Sequence, residues 1–221
     1  PPVSPSFPNT ENFYDFIGKT DQVLFVEEIC RHLSLERFFT CLQRQPSEKR
    51  SLIFLNVHPH IFTKSYYKSD KTLKLLESYG ISPENVVFEL SERAAIDSYV
   101  DMNEILAEYR SQGIRIALDD IGSGYNSLKT LVHLKPEFLK LDKSLIQWID
   151  QDKTKQQMVK LLSEFAKQTN AFLIAEGIER MEELFFLKEN DIHIGQGYAI
   201  GKPSQQLTNG TLPRIYNKKP M

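Results

Sequence analysis

Six short apolar runs, each ending on or just before a hydrogen-bonding or charged residue, constrain this chain more than any other feature. They are "LIFLNV" (52–57), "VVFEL" (86–90), "IALDD" (116–120), "FLKLD" (138–142), "FLIAEG" (172–177) and "IHIGQGY" (192–198). Each has the length of a strand. Amphipathic stretches near 22–43, 70–79, 97–112, 125–134, 154–169 and 179–190 alternate with them, the pattern of repeated β-α units. In the third stretch Val100, Ile105, Leu106 and Tyr109 fall at helical spacing, and Gly113 follows as a C-terminal cap. In the fifth, Met158, Leu161, Leu162 and Phe165 are expected on one buried face.

The runs are continuously apolar rather than alternating, so both faces of the sheet should be covered, as in a parallel sheet wrapped by helices. A parallel barrel and an open doubly wound sheet both meet that demand. The polar strand ends discriminate between them: Asn56, Glu89, Asp119 with Asp120, Lys140 with Asp142, Glu176 and Gln196. A closed barrel gathers strand ends on one rim, where barrel enzymes keep their chemistry. An open sheet spreads them along a line.

Bulk composition narrows the class of partner. With 27 basic and 29 acidic residues the formal net charge is −2, which gives no general affinity for duplex nucleic acid or an anionic membrane. No apolar run approaches the ~18 residues of a spanning helix, and no export signal opens the chain. Cys30 and Cys41 lack metal or redox spacing and read as reduced thiols, which suits the cytoplasm.

The strand ends form an oxygen-rich donor set without a Cys or His cluster, the set that hard ions such as Mg²⁺ or Mn²⁺ prefer. Two adjacent acids on one rim are hard to tolerate unless cations neutralise them. Two metals about 3.5–4 Å apart sharing a carboxylate would do so and would activate water against a phosphate. An isolated acid at a strand end is more often a helix cap or a surface charge, Asn56 could cap a turn, and Lys140 could be a surface amine. Six such residues at six successive strand ends weaken that plainer reading. His58, His60, His133 and His193 read as rim or surface residues rather than ligands.

In this order and spacing, "LNVHP", "FELSE", "ALDDIGSGY", "LKLDKS", "AEGIE" and "GQGYAIGKP" resemble the EAL-domain phosphodiesterases that hydrolyse the bacterial messenger cyclic di-GMP. The resemblance implies an α/β fold, a modified TIM-type (β/α)8 barrel, over 21–203, with 1–20 a linker and 204–221 a C-terminal extension. It also implies two Mg²⁺ or Mn²⁺ ions and opening of one phosphodiester bond to give linear pGpG. Carried over residue by residue, Asn56, Glu89 and Asp119 would hold metal, Asp119 bridging to a second ion served by Asp120 and Glu176. Lys140 would polarise the attacking water and Gln196 would position water or metal-bound groups. Glu92 would anchor the loop after Asp120, and Asp142 and Tyr198 would lie in the substrate pocket. Gly122 and Gly124 would turn the backbone so that both acids reach one site.

The chain departs from the family pattern in places. His58 stands where Ser is usual, Ile121 where Phe is, and Ser123 where Thr is. The Glu-Ala-Leu motif is expected before residue 1, on one of two barrel strands expected to be missing from this chain, which starts without Met. This chain is therefore expected to bind metal poorly and to hydrolyse slowly or not at all, with open sheet edges that invite a homodimer or domain-swapped assembly. A non-catalytic cyclic di-GMP receptor or interaction module is the alternative function.

Overall fold

The computed structural model describes residues 13, 16–17, 20, 22–44, 51–58, 69–91, 99–123 and 127–204. Glu92, Gly124, His60 and both terminal segments lie outside the described residues, as does the side chain of Val100. The chain packs as two units, Pro1–Ile116 and Ala117–Met221.

In the first unit, helix α1 (Val23–Arg44) precedes strand β1 (Ile53–Asn56), helix α2 (Ser69–Ser78), strand β2 (Val86–Ser91) and helix α3 (Tyr99–Ser111). Strands β1 and β2 run parallel, with Asn56 directly opposite Glu89. Val86, Val87, Phe88 and Leu90 are all buried, as a strand covered on both faces requires. Phe88 meets Tyr109 of α3 edge to face with ring centroids 5.0 Å apart, an arrangement worth roughly 0.5–1.5 kcal/mol beyond its area. Ile105, Leu106 and Tyr109 are buried at the expected spacing. Gly113 ends α3 at φ 100, its N–H bonded to the Arg110 carbonyl and that of Ile114 to Tyr109. This is a Schellman cap, which needs a left-handed residue there.

The second unit carries strand β3 (Arg115–Ile121, which begins at the end of the first), helix α4 (Ser127–Leu134), strand β4 (Phe138–Leu141), the short helix α5 (Lys143–Ile146), helix α6 (Lys153–Thr169), strand β5 (Phe172–Ala175), helix α7 (Met181–Glu189) and strand β6 (Ile194–Gly195). Strands β3, β4, β5 and β6 pair in parallel in chain order. A doubly wound sheet reverses its order at a switch point, and this run does not. Asn170 and Asp191 end α6 and α7 in the left-handed region, at φ 56 and 62, with the same pair of capping bonds that Gly113 makes.

One helix face differs from expectation. Val159, Leu162, Ser163 and Ala166 form the buried side of α6, whereas Met158 and Leu161 are exposed, Leu161 to 67%. The small residues Ser163 and Ala166 let the helix approach the sheet, turning the larger apolar pair outward.

Candidate active site

The site is built from the strand ends of the second unit. Successive residues of a regular strand point to opposite faces, so Asp119 and Asp120 should diverge. They do not, because β3 contains a bulge: Leu118 pairs with Leu139 and Ile121 with Leu141, so the two acids stand opposite Lys140 alone. Asp120 takes up the extra residue at φ 59. A bulge of this kind re-aims a side chain. The Asp120 N–H folds back onto Oδ1 of Asp119 at 3.0 Å. The turn thus begins at Asp120 itself, before the glycines credited from the sequence. Gly122 continues the turn at φ 99, a conformation that favours glycine, and a Cβ there would also lie 2.5 Å from the Leu145 side chain.

Alternation brings the other groups to the same face. Lys140 pairs with Ile174 across β4 and β5, and Glu176 lies two residues beyond Ile174, on the same side. Gln196 follows β6, where Gly195 pairs with Ala175, and so arrives beside Glu176. The Lys140 Nζ lies 2.9 Å from Asp119 Oδ1 and 2.7 Å from Glu176 Oε1. The Gln196 amide Nε2 donates to the same Glu176 Oε1 at 2.6 Å. Lys140 is buried and Asp119, Asp120 and Glu176 are half-buried.

Asp119, Asp120 and Glu176 each place a carboxylate oxygen within 4.8 Å of the others. Three carboxylates share this space with the ammonium of Lys140. The donors are all oxygens, the chemistry of a hard divalent cation, so these residues fit a metal. In the first unit, Asn56 and Glu89 offer a similar amide and carboxylate pair in direct register, Glu89 buried and Asn56 exposed.

The remaining expected residues have other engagements. Asp142 caps α5, its Oδ1 accepting the Ser144 N–H at 2.9 Å. Tyr198 is exposed to 66%. His58 is half-buried, and its backbone N–H bonds the buried Glu27 carboxylate. His133 and His193 are exposed. The Ser123 Oγ is buried without a hydrogen-bond partner. Sequence reasoning missed two buried acids, Glu27 and Glu183. Glu183 lies among charged neighbours in "IERMEELF", and its only signal was its capping-box position three residues into α7.

Comparison with known proteins adds to this geometry. The family model described as "EAL domain" matches residues 24–203. A probable cyclic di-GMP phosphodiesterase, PdeD of Escherichia coli K12, is 28% identical over 194 residues, 85% of this chain and 34% of PdeD. The chain spans still less of two other curated relatives, 16% and 24% of their lengths. Among solved structures, the EAL enzyme Bd1971 with cAMP and cyclic di-GMP bound aligns over 90% of this chain and 55% of its own, at 26% identity and TM-score 0.81. A calcium and cyclic di-GMP complex of Klebsiella pneumoniae BlrP1 covers 76% of this chain and 43% of its own, at 26% identity and TM-score 0.65. The parallel α/β arrangement is therefore that of the EAL barrels.

Proposed function

The chain belongs to the EAL domain family, and from that premise we propose that it hydrolyses cyclic di-GMP to linear pGpG. The observation that carries the reading is the bulge that aims Asp119 and Asp120 at one site with Glu176, opposite Lys140. PdeD is named a probable phosphodiesterase for this dinucleotide, and Bd1971 and BlrP1 were solved with it bound.

Asp119, Asp120 and Glu176 would hold Mg²⁺ or Mn²⁺, with Asn56 and Glu89 as further oxygen donors of the same hard chemistry. Bound divalent metal supplies an acidified water and charge to meet the phosphate oxygens. The chain's own residues do the rest. Lys140 brings its ammonium to the attacking water and to the negative charge that grows on the phosphoryl oxygens, where a fixed cation in a partly buried site acts strongly. Gln196 fixes the orientation of Glu176 through its amide. Hydrolysis adds water across one P–O bond: the hydroxyl oxygen joins phosphorus, and the departing sugar oxygen takes a proton. Exposed Tyr198 is available to a guanine ring, and Asp142 retains one oxygen beyond its capping bond. Glu92, outside the described residues, keeps its proposed role as anchor of the loop after Asp120.

Among the described residues no helix is long and apolar enough to cross a membrane. A cytoplasmic setting belongs to the same reading. The test incubates the protein with cyclic di-GMP and Mn²⁺ and follows pGpG by chromatography, with Asp119→Asn alongside. Turnover in the wild type that falls about 100-fold or more in the variant is expected. Undiminished turnover in the variant refutes the role of Asp119, and binding without turnover in the wild type points to a receptor instead.

A further inference from the structure

The carboxylate of Glu183 on α7 is buried, and its two oxygens are divided between two loops. Oε2 accepts the N–H groups of Glu179 and Arg180, each at 3.0 Å. These bonds cap α7 and join it to the loop leaving β5, the strand that ends at Glu176. Oε1 does something a helix cap does not require: it accepts the N–H of Trp148 at 2.9 Å, in the loop that follows β4 and α5. Lys140 lies on β4. One buried carboxylate therefore ties the Lys140 loop to the Glu176 loop.

Both loops are fastened around that clamp. The Arg180 Nη1 pairs with Asp150 Oδ1 at 2.9 Å, and its guanidinium carbon sits 4.0 Å from the centre of the Trp148 ring. Lys155 Nζ donates to the Gln147 carbonyl at 2.7 Å, and Gln156 Nε2 to that of Ile149 at 2.8 Å. Trp148 is held at φ 61, a left-handed conformation that bulky residues rarely adopt. Such a conformation persists where its surroundings over-determine it.

The path back to the site is short. Next to Glu179, Ile178 donates its N–H to the Gln196 carbonyl at 3.1 Å and accepts the N–H of Ala199 at 2.9 Å. Next to it, Gly177 passes so near Lys143 that a Cβ would lie 2.5 Å from the lysine Cβ. Then comes Glu176, bonded to both Gln196 and Lys140. We infer that Glu183 is a positioning residue: by clamping the Trp148 loop to the 179–180 loop it fixes the separation of Lys140 from Glu176. The role rests on the metal-binding reading of the site, and it acts through backbone rather than by contact with substrate.

The test is Glu183→Gln, which keeps size but replaces one acceptor with a donor that cannot serve both loops. Mn²⁺ affinity is measured by calorimetry, and acrylamide quenching follows Trp148, the single tryptophan of the chain. A folded variant is expected to bind Mn²⁺ about 10-fold more weakly, the range seen when a ligand's supporting partner is lost, with Trp148 more readily quenched. Affinity within twofold of wild type in a folded variant overturns the inference. Should Glu183→Gln fail to fold, Glu183→Asp carries the same test, keeping the charge while drawing it back by one methylene. A wild type that binds Mn²⁺ yet leaves cyclic di-GMP intact sinks the proposed reaction and not this role. A wild type that binds no Mn²⁺ sinks both.

Discussion

Asp119 and Asp120 are neighbours in sequence, yet both offer carboxylate oxygens to one cluster because Asp120 occupies the left-handed region at φ 59. A left-handed residue other than glycine costs roughly 1–2 kcal/mol, so the backbone strain falls on Asp120, one of the acids of the cluster.

Replacing Asp120 with glycine should therefore separate stability from function. Glycine adopts the same φ without a Cβ penalty, so Asp120→Gly is expected to be at least as stable as wild type, by up to about 1 kcal/mol in a denaturant melt. The same change removes a carboxylate from the cluster and should weaken Mn²⁺ binding about 10-fold or more. A variant that loses stability and keeps its metal affinity contradicts the assignment.

Lys140→Met tests the cation. Its ammonium lies within 3 Å of two carboxylates in a site that is mostly shielded from water. Removing one partner of a buried ion pair leaves uncompensated charge and costs about 3–5 kcal/mol. The melting temperature without divalent ions should fall, and added Mn²⁺ should raise it more than in wild type, because metal then supplies the missing positive charge. Hydrolysis should remain about 100-fold down at saturating Mn²⁺. Full recovery of turnover would exclude a role for the lysine in the reaction.

How much of this was legible in the sequence depends on what each feature leaves behind. Apolar runs of strand length mark six strands, and polar residues closing successive runs mark the site by their recurrence, since any one of them alone could be a cap, as Asp142 is. The bulge leaves no such mark: "ALDDIG" reads the same with Asp120 regular or left-handed, and only its pairing with β4 reveals the extra residue. Gly113 announces its cap, whereas Asn170 and Asp191 do the same work with residues that are common in loops. On α6, Met158 and Leu161 are more hydrophobic than Ser163 and Ala166, and close packing reversed that preference. Glu183 left no signal beyond its capping-box position, because its partners are backbone N–H groups, which every residue but proline carries.

Glu27 gives the fold a pH dependence. Burial raises its carboxyl to about 7 from an ordinary 4.5, against the opposing pull of the Arg31 guanidinium 3.8 Å away and the backbone N–H of His58. Arg31 is itself held by Thr72, its Nη1 2.8 Å from the hydroxyl, and carries its guanidinium 5.9 Å from the Phe88 ring centre. With the folded value above the unfolded one, the native state holds the proton more tightly. Its contribution is fully present below pH 4.5 and is lost as pH rises through 7, by roughly 3 kcal/mol at most. Glu27→Gln should flatten this window, so that denaturant melts of the variant at pH 5 and pH 8 differ less than those of wild type. An equal difference in both proteins would assign the pH dependence elsewhere.

Near Glu176, the crowding at Gly197 is backbone against backbone. A Cβ at Gly197 would collide with the backbone N and O of Ile178, the residue bonded to Gln196 and Ala199. Neither side can yield by turning a rotamer. Gly197→Ala must push the Gln196 segment away from Ile178, which should cost about 1–3 kcal/mol as overpacking and carry the Gln196 amide away from Glu176. Turnover should drop about 10-fold as the carboxylate loses its orienting donor. Gly201→Ala is the control, since a Cβ there meets nothing within 4 Å, and it should stay within about 0.5 kcal/mol of wild type. If the two alanines behave alike in a thermal melt and in pGpG release, the close approach at Gly197 does not hold Gln196 in place.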